Sequence, residues 1–430
     1  MLTLLQLSLR NVLRNGRRSM LTAATVMLGC ALLTIGLSWV QGIHGNFIDA
    51  SVQANGHVRM VSEGFAARER LLPLNENIPD AGALLEALSD NRAVTTVHPR
   101  IQIGVAASVD GNELGSIFAM LVGAPVDYFD DVLGFSERLT EGAFFDADPE
   151  AAIAQALVGR TLAKNMGVTA GDEAIFLGQT QDGSLSPIKV EVVGVLDTGN
   201  GLFDKQVFVP LEQARYMADI PDGTVELLVF GENKHHAREL MASIEPMLPT
   251  LAEAGGVSDL EGNPAGLVLS SWDTREPFAS LLGYARIIMG TIALIIVFIT
   301  ALGVLNTMLM SVLERTSEIG VLRAMGMKVW AVVLMFVIEA LVISAIGCAL
   351  GVTLGTIASL MMEATGVDLG TAASNLPDTI PANRTLHPDW SYQLSVISFV
   401  LGILMAFIGS ASPAVRAARI QPVTAMRARR

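Results

Sequence analysis

The 430-residue chain is poor in charge, in aromatic residues and in cysteine: 16% of its residues are charged, 6% are aromatic and two are cysteines. With 51% hydrophobic residues and a mean hydropathy of +0.49, that is too little charge for a protein lying wholly in water, where about a quarter of residues are charged. The two cysteines, Cys30 and Cys348, each lie inside an apolar run, so neither staples a polar domain. No G-x-x-x-x-G-K-[ST] segment occurs, which excludes nucleotide binding by a Walker loop in this sequence. Basic clusters are missing from the long polar region. Residues 42–285 hold 35 Asp/Glu against 14 Lys/Arg, a balance of −21, while the rest of the chain carries +7. A region so acidic argues against nucleic acid as a partner, because phosphate binding needs clustered Lys and Arg.

What the chain does have is four long stretches almost without charge: Met20 to Val40, Ile287 to Leu313, Val329 to Met362, broken only by Glu339, and Ser391 to Val415. Each reaches the roughly 20 residues that a helix needs to cross about 30 Å of hydrocarbon. The expected fold class is therefore an integral membrane protein of four transmembrane helices, with a large α+β domain inserted between helices 1 and 2. The expected segments are an interfacial helix at 1–19, a span at 20–42, the outer domain at 43–276 and a stalk with the second span at 277–313. A connector at 314–328, a span at 329–362, an outer loop at 363–390, a span at 391–415 and a tail at 416–430 complete the chain.

Short flanking segments orient these spans, because Lys and Arg stay on the cytoplasmic side. Arg10, Arg14, Arg17 and Arg18 precede the first span, Arg315, Arg323 and Lys328 join the second to the third, and Arg416, Arg419, Arg427, Arg429 and Arg430 follow the fourth. The segment between spans three and four holds Glu363, Asp368, Asp378 and Asp389 against Arg384 alone. Both termini are expected in the cytoplasm and the acidic domain outside. A cleaved signal or lipoprotein reading of span one, suggested by Met27-Leu28-Gly29-Cys30, is disfavoured because the apolar run continues for ten residues past Cys30. Before it, Leu2, Leu5 and Leu9 recur at helical spacing, as suits a helix in the headgroup plane. A frayed start is the alternative.

The outer region alternates strand-like stretches (Ile101–Val109, Lys189–Leu196, Gln206–Val209) with helical ones (Ile153–Met166, closing at Gly167, and His235–Leu248). Asp110-Gly111 reads as a hairpin turn, and two lobes are expected. Little chemistry is visible. Asp197-Thr198-Gly199 after an apolar strand is similar to an aspartic-protease loop, but one copy lacks the second carboxylate that such a site shares a proton with. Asp-Thr-Gly is also an ordinary turn. His235 and His236 diverge by about 100° on a helix and read as surface residues rather than metal ligands.

The connector is the most informative segment: Glu314-Arg315-Thr316-Ser317-Glu318-Ile319-Gly320-Val321-Leu322-Arg323-Ala324-Met325-Gly326-Met327-Lys328. On a helix, Ile319, Leu322 and Met325 or Met327 cluster on one side, while Arg315, Glu318 and Arg323 are expected to face water. Such a short amphipathic helix, held between two spans, suits docking into a groove of a cytosolic partner. In span three Gly347, Gly351 and Gly355 recur every four residues and invite a close helix neighbour, either span four or a second protomer. Asn306 in span two is a candidate interhelical hydrogen-bonding residue. Glu339, the lone carboxylate inside a span, reads as a structural hydrogen-bonding group, with a proton relay as the alternative.

At these residues the sequence resembles a family. "ERTSEIGVLRAMG" from Glu314 to Gly326, Glu339-Ala340-Leu341, the opening "LRNVLRNGRRSMLT" and the ending "SPAVRAARIQPVTAMR" are similar to the MacB/FtsX-type permeases of type VII ABC transporters. "ALVGRTLAKNMGVTAGDEAIF" and "VEVVGVLDTGNGLFDKQVFVPLEQARYM" resemble the periplasmic domain of lipoprotein-releasing, Lol-type permeases. The resemblance implies a multi-pass protein of the bacterial inner membrane with a periplasmic domain. It also implies a homo- or heterodimer of permeases on cytoplasmic ABC ATPase subunits that hold ATP and Mg, with no cofactor in this chain and no enzymatic activity of its own. Segment 314–328 would be the coupling helix, with Glu314, Arg315, Glu318, Ile319, Gly320, Leu322, Arg323, Met325 and Gly326 as its coupling residues. MacB carries a fused ATPase domain ahead of its first span, whereas this sequence begins near the membrane, which favours a Lol-like arrangement with a separate ATPase. Lipoproteins or other lipidated or amphiphilic cargo are expected. An FtsX-like relay acting on a cell-envelope hydrolase is the alternative, and a membrane-anchored aspartic protease a remote one.

Overall fold

The computed structural model of the chain describes residues 16–109, 117–146, 154–199, 201–258, 264–274, 278–368 and 385–419. They fall into two compact units, one within Met1–Gly45, Gly283–Val367 and Leu386–Arg430, the other within Asn46–Leu282 and Asp368–Thr385.

The first unit holds the apolar helices. Four helices among the described residues are long and apolar enough to cross a membrane: Ser19–Asn55, Gly290–Glu314, Val329–Thr365 and Tyr392–Ala418. The first continues well past residue 42, as one helix over Gly16–Asn55. Nothing between Gln41 and Ala54 interrupts it, since that stretch has no proline. It stops where Gly56 adopts a left-handed backbone (φ +69°) that a side chain disfavours. The second helix, Phe278–Glu314, is 37 residues long, about 55 Å at 1.5 Å per residue. Pro277, the expected helix start, lies outside the described residues, as do residues 1–15 and Asp110-Gly111.

The second unit is built on a ten-stranded sheet of order β10-β1-β9-β2-β3-β8-β5-β7-β4, with β6 pairing β2 and β7. The strands are β1 (Val58–Ser62), β2 (Thr96–Val109), β3 (Ile117–Ala124), β4 (Leu139–Gly142), β5 (Ala154–Gly159), β6 (Glu173–Gln179), β7 (Leu185–Leu196), β8 (Gln206–Pro210), β9 (Glu226–Phe230) and β10 (Leu267–Ser271). The long strand β2 joins two halves. Its residues Thr96 to Arg100 pair β9, and its residues Ile101 to Val109 pair β3 and β6. Helices Ala81–Ser89, Ala237–Ile244 and Leu248–Ala254 bury Leu84, Leu88, Leu240, Ile244 and Leu251 with Val58, Met60, Leu227 and Val229 of the first half.

One expectation fails here. Residues 154–166 are not one helix: Ala154–Gly159 is strand β5, and only Arg160–Met166 is helical, closing at Gly167. Ala156, Leu157 and Val158 are buried where β5 pairs β7 and β8, so pairing on both edges overrides the helix-compatible composition of Ala-Gln-Ala-Leu-Val.

Candidate coupling site

The second helix ends at Glu314 and a separate short helix runs from Thr316 to Ala324 before the third begins at Val329. Arg315 occupies the corner between the first two. The short helix closes through Met327 N–H donating to Leu322 O at 3.1 Å, and Gly326 there takes a positive φ of 91°. Its inner face packs into its own bundle: Ile319 is buried with Val312, Val332, Phe336, Ala414 and Ala417, and Leu322 and Met327 pack against that cluster. Its outer face leaves Val321 exposed and Met325 72% exposed. Glu314 and Glu318 are exposed, Arg323 is half-buried and donates to Met327 O at 3.3 Å, and Gly320 is buried.

One coupling residue differs from the sequence expectation, and the choice between Met325 and Met327 is settled. Arg315 does not face water. Its Nη1 donates to Glu339 Oε2 at 2.9 Å, and both residues are buried, with 8% and 3% of their surface exposed. The cause is position: at the corner preceding the short helix, the Arg315 side chain lies off that helix's solvent face and reaches the third helix. Met325 ends the short helix and is exposed, so Met327 rather than Met325 completes the buried stripe. The pair is a charge-assisted hydrogen bond in an apolar setting, where each charge needs the other.

Gly347, Gly351 and Gly355 pack on the first helix rather than on the fourth: a Cβ at Gly347 would stand 2.7 Å from Ala23 O, at Gly351 2.3 Å from Met27 O and at Gly355 2.9 Å from Ala31 O. The two backbones touch over three turns, which only glycine allows. Cys30 and Cys348 meet in the same interface, sulfur to sulfur at 3.3 Å, a contact between residues 318 apart that nothing in the sequence pattern signals. Asn306 lies on the exposed side of the second helix and has no hydrogen-bond partner among the described residues, because the neighbouring helices cover the opposite side, at Val304 and Met308. Between the first two helices an apolar crevice of about 220 Å³ is lined by Leu33, Gly36, Leu37, Trp39, Val40, Ile292, Ala293 and Ile296.

In the outer unit, Asp197 is paired with Arg160 at 2.6 Å, and the Thr198 N–H and hydroxyl both donate to Asp204 Oδ1 at 2.9 and 2.7 Å. These contacts tie the loop after β7 to the residues before β8. His235 and His236 are exposed, and no group of three or more metal-ligating side chains occurs among the described residues.

Two family models match the chain: the MacB-like periplasmic core domain over residues 19–246, and the FtsX-like permease C-terminal over residues 290–422. Among similar proteins, the macrolide export ATP-binding/permease protein MacB of Wolinella succinogenes is 24% identical over 98% of this chain, which spans 60% of that protein's length. The lipoprotein-releasing system transmembrane protein LolC of Xylella fastidiosa is 25% identical over 97% of this chain and 96% of its own length. The crystal structure of the periplasmic region of MacB from Actinobacillus actinomycetemcomitans superposes on 52% of this chain and 92% of its own, at 17% identity and a TM-score of 0.34. With a MacB-like periplasmic core matched over more than half of its length and an FtsX-like region behind it, the chain belongs to the MacB/FtsX-like permeases of the type VII ABC transporters.

Proposed function

We propose that this chain is the membrane subunit through which a cytoplasmic ABC ATPase drives the outer domain, acting on cargo already at the outer face of the inner membrane. The observation that carries this reading is the short helix Thr316–Ala324. It is anchored inward by Ile319 and by the Arg315–Glu339 pair, and presents exposed Val321 and Met325 outward. A docking element of this kind transmits a push only if it is stiffly joined to the spans, and a buried ion pair at its root supplies that joint. ATP and Mg belong to the partner ATPase in this reading, since the sequence has no Walker loop. The arginine-rich short segments support a cytoplasmic side for both termini and this helix in this reading.

The cargo is lipoprotein or another lipidated or amphiphilic molecule. The crevice between the first two helices supports this class: it is lined wholly by apolar side chains and Gly36, in the outer part of the first span. An acyl chain fits such a lining, and a polar solute does not. The likeness to LolC over nearly the whole of both chains points the same way.

Docking is tested by placing a photo-crosslinking side chain at Met325 or at buried Ile319 in cells producing the full transporter. Crosslinks to the ATPase are expected from position 325 and not from 319. Equal labelling from both, or none from 325, contradicts docking at this helix. For the cargo, filling the crevice with Gly36→Phe is expected to abolish release of lipidated cargo while leaving basal ATP hydrolysis unchanged. Undiminished release overturns the cargo assignment alone.

A further inference from the structure

The chain has two thiols and folds them against each other. Cys30 is the middle residue of the charge-free run Met20 to Val40, with ten residues on either side, or about 15 Å of helix at 1.5 Å per residue. That is half of the roughly 30 Å of hydrocarbon, so the sulfur lies near the middle of the bilayer. Cys348 stands well inside the third helix, beside Gly347 and Gly351, the glycines through which that helix touches the first at Ala23 and Met27. Side chains as short as cysteine meet across two helices only where the backbones come this close. Both residues are fully buried, and the two sulfurs lie 3.3 Å apart. On the fourth helix Gly402 faces the pair: a Cβ there would stand 2.4 Å from Cys30 Sγ and 2.5 Å from Cys348 Sγ.

A metal ion does not fit this pair. No group of three or more His, Cys, Asp or Glu side chains gathers among the described residues. With metal–sulfur bonds of about 2.3 Å, an ion held in line between two sulfurs alone needs them about 4.6 Å apart, and Gly402 closes the space around them. A disulfide fits better: the sulfurs have to close from 3.3 Å to about 2.05 Å, a shift that side-chain rotation supplies. Cysteine is also a good small core residue, which accounts for the burial of each but not for both thiols of the chain sharing one contact. The depth of the pair selects its oxidant. A charged, water-borne reagent such as oxidised glutathione does not enter hydrocarbon at the middle of the bilayer. A quinone dissolves there.

We propose that Cys30 and Cys348 form an oxidisable dithiol, closed to an intrachain disulfide across the first and third helices by a lipid-soluble quinone. Two S–H bonds break and one S–S bond forms. The quinone takes both electrons and both protons and leaves as the quinol, so the step balances without a further reactant. The bond ties together two helices whose cysteines are 318 residues apart in sequence. Its formation is read on this chain alone, so it stands or falls independently of the ATPase and of the cargo.

The test uses the full chain in lipid nanodiscs, with a fully substituted decyl benzoquinone dissolved in the bilayer as oxidant, since such a ring has no open position for thiol addition. Free thiols are then counted by alkylation with N-ethylmaleimide under denaturing conditions. Because the chain has two cysteines, an intrachain disulfide joins these or none. Both thiols are expected to disappear together, leaving a chain lighter by two hydrogen atoms and monomeric on a non-reducing gel, and dithiothreitol is expected to restore them. Oxidised glutathione in the water at the same concentration is expected to act at least tenfold more slowly. Moving the second thiol to another buried site of the third helix (Cys348→Ser with Ser359→Cys) is expected to lower the disulfide yield at least tenfold. Two free thiols after quinone treatment, disulfides between chains only, or equal yields from positions 348 and 359 overturn the proposal. An equal rate with glutathione overturns the choice of oxidant.

Discussion

Arg315 at the corner before the short helix Thr316–Ala324 and Glu339 in the third apolar helix form one buried ion pair, Nη1 to Oε2 at 2.9 Å, across 24 residues of sequence. The pair ties the end of the second helix and the start of the short helix to the third. Removing one partner strands the other charge in an apolar site, at a cost of about 3–5 kcal/mol, whereas replacing both by apolar side chains is about neutral. Glu339→Leu is therefore expected to lower the thermal midpoint of the purified chain sharply, and Arg315→Met with Glu339→Leu to recover most of the loss. Additive losses in the double variant would contradict a direct pair. If Glu339→Gln instead left stability and ATPase stimulation intact but abolished transport, a proton-relay role would replace the structural one.

The glycine face of the third helix makes a sharp contrast available within one chain. A Cβ at Gly351 meets Met27 O at 2.3 Å and Cys30 Cβ at 2.9 Å, while a Cβ at Gly36 meets nothing within 4 Å. Gly351→Ala is expected to destabilise by about 1–3 kcal/mol through overpacking. Gly36→Ala is expected to stay within about 1 kcal/mol of the parent, in keeping with the helix preference for alanine. Thermal unfolding of the two variants in the same detergent checks this, and equal effects would mean that the first and third helices are not in backbone contact.

Acidification is expected to loosen the outer domain through two imidazoles. His57 Nδ1 accepts the Gly231 N–H at 2.9 Å, and burial, assisted by the Lys234 charge, pushes its pKa down. Burial also pushes His98 down, against the opposing pull of Asp127 and Asp131. In the fold, burial favours the neutral form of both. Their contribution is therefore complete above the ordinary imidazole value near 6.5 and is lost as pH falls below it toward their lowered folded values, with a slope of at most about 1.4 kcal/mol per pH unit for each. The thermal midpoint of the outer domain should be lower at pH 5.5 than at 7.5. His57→Asn, whose Oδ1 can accept the same N–H without titrating, should show a smaller drop. An equal drop would remove His57 from the explanation.

The Asp-Thr-Gly loop separates a surface carboxylate from a buried one. Asp197→Asn weakens a half-exposed pair with Arg160 and is expected to cost no more than about 1 kcal/mol, with transport retained. Asp204→Ala leaves the Thr198 N–H and hydroxyl without their acceptor in a buried setting and is expected to cost about 1–3 kcal/mol. Loss of all activity in a stably folded Asp197→Asn variant would revive a hydrolytic role for Asp197.

The four apolar helices are legible in the sequence because charge-free runs report directly on the bilayer, a solvent with one dominant rule. Ile319 and Leu322 were legible for a related reason: helical periodicity marks which side of a short helix is apolar. Periodicity cannot say that a charged residue at a helix corner turns inward, so from the sequence Arg315 reads as facing water. Nor can it name the partner of a glycine face, since the approach of Met27 O to Gly351 depends on where a helix more than 300 residues away packs. Ala154–Gly159 reads as helix from its composition, but its strand character comes from pairing with β7 and β8. The extension of the first helix to Asn55 is not legible in the sequence, because that stretch is polar enough to resemble a domain start and its stop comes only at Gly56.

The coupling claim is tested most directly by ATP hydrolysis of the permease–ATPase complex in nanodiscs, comparing the parent with Val321→Asp plus Met325→Asp. Both side chains are exposed in this chain, so the variant's thermal midpoint should match the parent's within about 0.5 kcal/mol of stability. The account expects hydrolysis in the variant complex to fall to the rate of the ATPase alone. Stimulation at the parental rate, from a complex that still copurifies, would contradict coupling through the helix Thr316–Ala324.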